Sequence, residues 1–468
     1  MPEAKAAVNV PTAPPRHLDP EQAALQRAGL AGVLRRAGAW PGDALAALLW
    51  TAAILPAAMG YWLVGGSLAG VSDHQVHTLV AASFLALGLA TLLQVALGFR
   101  LPMYEGPASV YLAAVTVVSS QGHQSLSAIT GGLLAAGGFV ALLGVLRVDR
   151  LMARVFTPLV ANVFLFTVTL AVLPATLERA VGATHGLPGQ GAAWASTLVV
   201  VAVTLAMRRQ PQLTPYIMLV ALVLGTATYL ALSGMPHAAV GGGLALPALL
   251  PWGGPRASAA VVVPFLLAGA LAAFNTVASG AVVAVAYELK VGRNAPRTAL
   301  MMHGAAQAGG ALLGNLVGTV SRLDSVGIVR LLNHRGRAPL LLMGLLIGAL
   351  AFVRPVVDLA AALPLSVSGA VLGVLLAVLL AQALSGIGRE PRSVRALVVA
   401  PALIPTAAWI AVGSSLAPTV QLVANPMLWG VLLAAVLERL VSPRAHRLEA
   451  LEAGAPASAR VGSTDSES

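Results

Sequence analysis

The 468-residue chain contains no cysteine, and only 10% of its residues are charged and 5% aromatic. Without cysteine there is no disulfide framework, no thiolate metal site and no thiol nucleophile. Apolar residues make up 58% of the chain, whereas a soluble domain carries about 45–50% apolar and roughly 25% charged residues. A water-soluble fold of this composition would expose large apolar patches and aggregate. Lipid is the solvent that fits, and the mean hydropathy of +0.85 agrees. Long basic tracts are missing too. The net charge is +11, but the arginines fall in twos and threes between apolar runs without interleaved aromatics, which argues against a nucleic-acid surface. The polar first 42 residues lack the apolar core of a signal peptide. Within them, 22–38 reads either as a short amphipathic helix on the membrane surface or as a solvated tail.

A helix needs about 20 mostly apolar residues to cross a bilayer. The pattern predicts fourteen spans, near 45–67, 78–98, 107–120, 127–146, 155–176, 193–207, 214–233, 258–286, 298–318, 324–333, 338–353, 363–384, 396–413 and 424–441. Two of these, 107–120 and 324–333, are too short to cross alone, and each follows an irregular stretch of glycine and polar residues. With both termini cytoplasmic, the inner side collects the two tails and nearly all arginine clusters, leaving Arg179, Arg256 and Arg354 outside. One span more or fewer would invert half of that distribution.

A weak internal repeat is also legible. Setting Gly98 over Gly314 aligns GFRLPMYEGPASVYLAAV with GNLVGTVSRLDSVGIVRL, and Pro158 pairs with Pro364 further along. Seven spans per half is an odd number, so the second copy lies inverted in the membrane. The expected architecture is therefore all-α and integral to the membrane, fourteen spans built as a 7+7 inverted repeat. Its parts are a cytoplasmic tail over 1–44, a first repeat over 45–234, an outer linker over 235–257, a second repeat over 258–441 and a disordered tail over 442–468.

The interrupted helices point to the site. Irregular backbone is costly in hydrocarbon and persists only where protein or a wet cavity satisfies it. The stretches 100–108 and 318–323 are therefore expected to face each other inside the bundle, with the N-termini of two short helices aimed into one polar cavity. Asp324 begins the second short helix, where it serves as an N-cap, as an acceptor for substrate N–H groups, or as both. Asn275, Thr276 and Ser279 lie mid-span, where amides and hydroxyls either read substrate or simply bond across helices. The bland reading covers Asn162, Thr167, Gln94, Gln307, Asn315 and Gln382, and it assigns Gly310, Gly314 and Gly318 to close helix packing. Glu105 faces the cavity or pairs with Arg100. His303 is a titratable group in a span, with core packing as the alternative.

Three segments carry a family resemblance: SRLDSVGIVRLLNHRGR (321–337), RLPMYEGPASVYLAAV (100–115) and VFTPLVANVFLFTVTLAVLP (155–174). In order and spacing the chain resembles the nucleobase–ascorbate (xanthine/uracil permease) family of cation symporters across 45–441. The resemblance implies a core domain of spans 1–4 and 8–11 and a gate domain of spans 5–7 and 12–14, with substrate held between spans 3 and 10. The position that touches the nucleobase falls on Asp324, with Ser325 beside it, and the backbone contact falls near Ala108 and Ser109. The chain departs from the family pattern at Asn275, where a carboxylate or Gln is usual, and at Asp324-Ser325, where the pair is Glu-Asn.

The expectation is a plasma-membrane permease, not an enzyme, that moves a nucleobase-like solute with a proton as coupling ion. Asp324, Ser325, Asn275, Thr276, Ala108 and Ser109 are expected to bind substrate, and Glu105, Arg322 and His303 to couple or gate. An anion transporter on the same architecture is the alternative, since Arg322 sits beside two positive helix ends. No cofactor, metal or nucleic acid is expected, and a homodimer through the gate helices is left open.

Overall fold

The computed structural model describes residues 41–120, 125–148, 157–183, 189–210, 213, 216–234, 241–244, 246–286, 289, 291–322, 325, 336–412, 429–430 and 432–441. The chain is mostly helical. In order its elements are α1 (Pro41–Ala69), α2 (Asp73–Ala96), β1 (Glu105–Pro107), α3 (Ser109–Ser120), α4 (Leu126–Val145), α5 (Pro158–Ala180), α6 (Gln190–Met207) and α7 (Ile217–Ser233). There follow α8 (Ala259–Ala286), α9 (Ala295–Leu313), β2 (Thr319–Ser321), α10 (Ala338–Leu350), α11 (Arg354–Ala361), α12 (Leu365–Gly388) and α13 (Ala400–Val412). A last helical stretch covers 432–441.

Among the described residues, seven helices are long and apolar enough to cross a membrane, and α3, α7 and α10 are shorter apolar helices. The protein is a multi-pass membrane protein. Starts follow local chemistry: the Ser125 side chain accepts the Ala128 N–H at the head of α4, and Thr157 accepts that of Val160 ahead of Pro158 at the head of α5. The helix expected over 298–318 stops at Leu313, where Gly314 turns left-handed at φ +100°. The span expected over 324–333 lies outside the described residues apart from Ser325, as do residues 1–40 and 442–468 of the two tails, whereas 41–44, expected in the first tail, open α1.

Within this mostly helical fold, β1 and β2 pair antiparallel, with Glu105 opposite Ser321, Gly106 opposite Val320 and Pro107 opposite Thr319. Backbone that leaves a helix inside a membrane must find partners, and a second broken segment supplies them.

Lipid tails are as apolar as leucine, so helices here associate by close packing rather than by expulsion of water. Two close crossings pair α2 with α10 and α4 with α9. A Cβ at Gly88 would lie 2.5 Å from the Gly344 carbonyl oxygen and 2.7 Å from the Gly348 nitrogen. A Cβ at Gly304 would lie 2.4 Å from the Ala141 nitrogen and 2.5 Å from the Gly137 oxygen. The alignment that sets Gly98 over Gly314 also sets Gly88 over Gly304. Between α7 and α8 the linker straps several helix ends together: Leu250 N–H donates to Leu312 O (2.7 Å), Trp252 Nε1 to Gly314 O (2.9 Å) and Arg256 N–H to Ser127 O (3.0 Å).

Candidate functional site

The strand pair lies inside the bundle. All six of its residues are buried, and α2, α8, α9 and α1 pack around it. Side chains complete its hydrogen bonding. Thr91 Oγ1 on α2 accepts the Glu105 N–H (3.2 Å), and Gln307 Oε1 on α9 accepts the Thr319 N–H (3.0 Å). The Arg322 N–H donates to Tyr104 O (3.0 Å), the Tyr104 N–H to Ser325 Oγ (3.3 Å) and the Val317 N–H to Asn315 Oδ1 (3.2 Å). Each bond satisfies a backbone donor that hydrocarbon could not.

Gly318 makes the approach of β2 feasible. Its φ is +69°, and a Cβ there would sit 2.5 Å from the Tyr111 ring on α3. Gly314 and Gly318 are thus conformational glycines after the end of α9, not helix-packing ones. Gly310 alone of the three stays in the helix, facing Ala86 on α2.

The expected site residues fall as follows. Glu105 is fully buried and does not pair with Arg100, which is exposed at φ +59°. Its Oε1 accepts a short hydrogen bond from Ser321 Oγ, and its Oε2 lies 3.5 Å from His303 Nδ1. Thr276 Oγ1 is 3.4 Å from the same imidazole nitrogen. Asn275 Nδ2 donates to the Ser321 carbonyl (3.1 Å). Arg322 reaches back across Gly106, with Nη1 3.4 Å from Pro107 O. Ser325 is buried and donates to Arg322 O (2.7 Å). Ala108 is buried, and Ser109 opens α3 directly after β1. Asp324 lies outside the described residues.

The structure thus gathers Glu105, Asn275, Thr276, His303, Arg322 and Ser325 around one strand pair, with Ala108 and Ser109 at its edge. Sequence reasoning missed Ser321, which joins Glu105, Gln94 and Asn275: Gln94 Nε2 donates to Ser321 Oγ at 3.1 Å. Gln94 and Gln307, read from sequence as ordinary cross-helix hydrogen bonders, hold the strands in place. A small pocket lies elsewhere, lined by Gly182, Gln190, Tyr229 and Ser366 among others at the ends of α5, α6, α7 and α12.

The chain is similar in sequence and in fold to known transport proteins. Bacillus subtilis (strain 168) YwdJ, named as a candidate purine permease, is 26% identical over 349 residues, covering 70% of this chain and 78% of YwdJ. The transmembrane domain of the cyanobacterial bicarbonate transporter BicA shares the fold at TM-score 0.56 and 16% identity, covering 82% of this chain and 96% of that one. Murine Solute Carrier 26 family member A9, an anion transporter in the inward-facing state, does so at TM-score 0.56 and 14% identity, covering 84% of this chain and 68% of that one. The model of the Permease family for xanthine/uracil permeases matches residues 44–437. The chain, with its two broken segments paired inside an apolar helical bundle, belongs to the xanthine/uracil permease family.

Proposed function

We propose that this protein is a secondary active transporter that carries a nucleobase-like solute through a site at the tips of the two interrupted segments, with a proton as coupling ion. The observation that carries the reading is the antiparallel pairing of Glu105–Pro107 with Thr319–Ser321. It brings the start of α3 and the approach to Asp324 to one place. Ala108 and Ser109 offer backbone and hydroxyl groups at the positive end of α3. Asp324 accepts N–H groups of the base, Ser325 beside it contacts the same base, and Asn275 and Thr276 supply neutral donors and acceptors from α8.

The architecture proposed with it has fourteen spans in two inverted halves. A core of spans 1–4 and 8–11 rocks against a gate of spans 5–7 and 12–14, both termini are cytoplasmic, and the protein sits in the plasma membrane. The reciprocal glycine crossings of α2 with α10 and α4 with α9 support the inversion. Likeness to YwdJ supports a purine or related base as cargo.

The test is uptake of labelled uracil, xanthine, guanine and sulfate into proteoliposomes, with and without an imposed proton gradient. Gradient-stimulated uptake of a base, competed by the unlabelled base and lost in Asp324→Asn, is the expected result. Sulfate uptake with no base uptake would remove the reading. A second reading, an anion transporter, draws on Arg322 at the strand ends and on the anion carriers among the structural neighbours. Arg322→Gln separates the two: anion transport should collapse, while base uptake should depend more on Asp324.

A further inference from the structure

We propose that Glu105 and His303 together hold one mobile proton, and that this pair is the proton-coupling element of the transporter. The inference rests on the transport reading above and adds to it where the coupling proton resides.

The whole of α8, AAVVVPFLLAGALAAFNTVASGAVVAVA, contains no ionisable side chain. A proton carried inside the bundle must therefore sit on another element. Glu105 comes from the first half of the chain and His303 from the second. Their side chains are 1% and 0% exposed, and Oε2 and Nδ1 lie 3.5 Å apart. Among the described residues neither Arg nor Lys forms an ion pair with Glu105. The neighbours are neutral hydrogen-bonding groups: Thr91 and Gln94 from α2, Ser321 from β2, Asn275 and Thr276 from α8, and Gln307 from α9. From α3, Tyr111 is the other titratable group close enough to sense the Glu105 charge.

Charge balance fixes the proton count. With one proton shared, the pair is neutral overall, as carboxylate and imidazolium or as carboxylic acid and imidazole. Removing it leaves a bare buried carboxylate, and adding a second leaves a bare imidazolium, both heavily penalised away from water. Exchange with solvent is therefore tied to a rearrangement that hydrates or repartners the pair. The far side of the imidazole is open to repartnering, since among the described residues the buried His303 Nε2 has no hydrogen-bond partner.

The pair is wired to the proposed binding segment. The other oxygen of Glu105 takes the Ser321 hydroxyl, and Ser321 is the last residue of β2, three positions ahead of Asp324. Protonating Glu105 weakens its pull on that hydroxyl, and β2 passes the change to the segment that reads substrate. On entry the proton passes from outer water to the pair, and on inward opening it leaves to inner water.

The experiment uses the reconstituted full chain and the base that the uptake screen identifies. Two rates are compared: exchange of labelled for unlabelled base with no gradient, and accumulation driven by a proton gradient. Glu105→Gln keeps an acceptor for Ser321, and His303→Gln keeps a polar side chain of similar reach. Both should still exchange base, while gradient-driven accumulation falls by about tenfold, the scale of a typical coupling free energy. A purely structural role would lower both rates together, and either that outcome or unchanged accumulation overturns the proposal. Failure of the wild type to exchange any base would instead remove the transport reading. Infrared difference spectra between mildly acidic and mildly alkaline buffer need no solute. Carboxyl and imidazole bands present in the wild type and absent from both variants support the shared proton, and bands unchanged in Glu105→Gln overturn it. If Glu105→Gln does not fold, His303→Gln carries both measurements.

Discussion

β1 and β2 run past each other in register and are held in matching ways, yet one offers a carboxylate where the other offers hydroxyls. The alignment that sets Gly98 over Gly314 places Thr91 over Gln307, and each of these accepts the N–H of the strand residue that follows in its own half. The anchoring side chains therefore follow the repeat, although the strand N–H groups they take stand two positions apart in that alignment. The chemistry does not: Glu105 brings a carboxylate that reaches His303 and Ser321 in the other half, whereas the aligned Ser321 brings a hydroxyl that donates to that carboxylate and accepts from Gln94. Two halves that share a backbone solution for crossing lipid are free to differ in every group that does not hold that backbone.

Breaking the strand pair itself should have the largest effect. Gly318→Val combines a left-handed backbone with a collision against Tyr111. It should cost about 3 kcal/mol or more in strain and overpacking, read as loss of monodisperse protein and a lower thermal midpoint in detergent. The paired crossings come next. Gly88→Leu and Gly304→Leu each drive a side chain into facing backbone, so each should lower the midpoint by a similar amount, worth about 1–3 kcal/mol. A large difference between the two would show that the halves do not share the packing as the alignment says.

Removing one strand acceptor sharpens the comparison. Thr91→Val and Gln307→Ala each leave a buried N–H without a partner, at about 1–3 kcal/mol. Thr91→Ser should restore stability, which the same melting assay can check.

The smallest effect lies away from the strands, at α11. Burial of Asp358 opposes its ionisation, but the Gly241 N–H, Arg354 and the nearby His77 outweigh it and hold the carboxyl below the usual range. A depressed carboxyl stabilises the fold above its unfolded value of about 3.9 and loses that contribution as pH falls through the folded value. The midpoint of the wild type should therefore drop in acid by more than that of Asp358→Asn, which should already be lower near neutral pH. Equal acid sensitivity in the two proteins would show that Asp358 does not contribute.

Much of the bundle was legible from sequence because apolar length is a strong signal. Helices over 41–69, 73–96, 126–145 and 365–388 lie within a few residues of the expected spans. The two breaks were legible as well, since glycine, proline and polar residues interrupt apolar runs in RLPMYEGPAS and GNLVGTVSR. That the breaks pair as strands was not legible. Three-residue strands have no periodicity of their own, and their partner lies more than two hundred positions away. Glu105 shows why local reading fails at the site. Arg100 is its near neighbour in sequence, but the left-handed turn at Arg100 sends that side chain to the surface and leaves the carboxylate to Ser321 and His303.

By itself the sequence determined the solvent, the helices and the places where helices must stop, because each of these depends on composition or on a residue and its immediate neighbours. Only the tertiary structure decided that the two facing breaks satisfy each other as paired strands, and that a carboxylate from one half meets an imidazole from the other. Hydrogen bonds in lipid must be closed by whatever group folding brings near, and sequence distance says nothing about that.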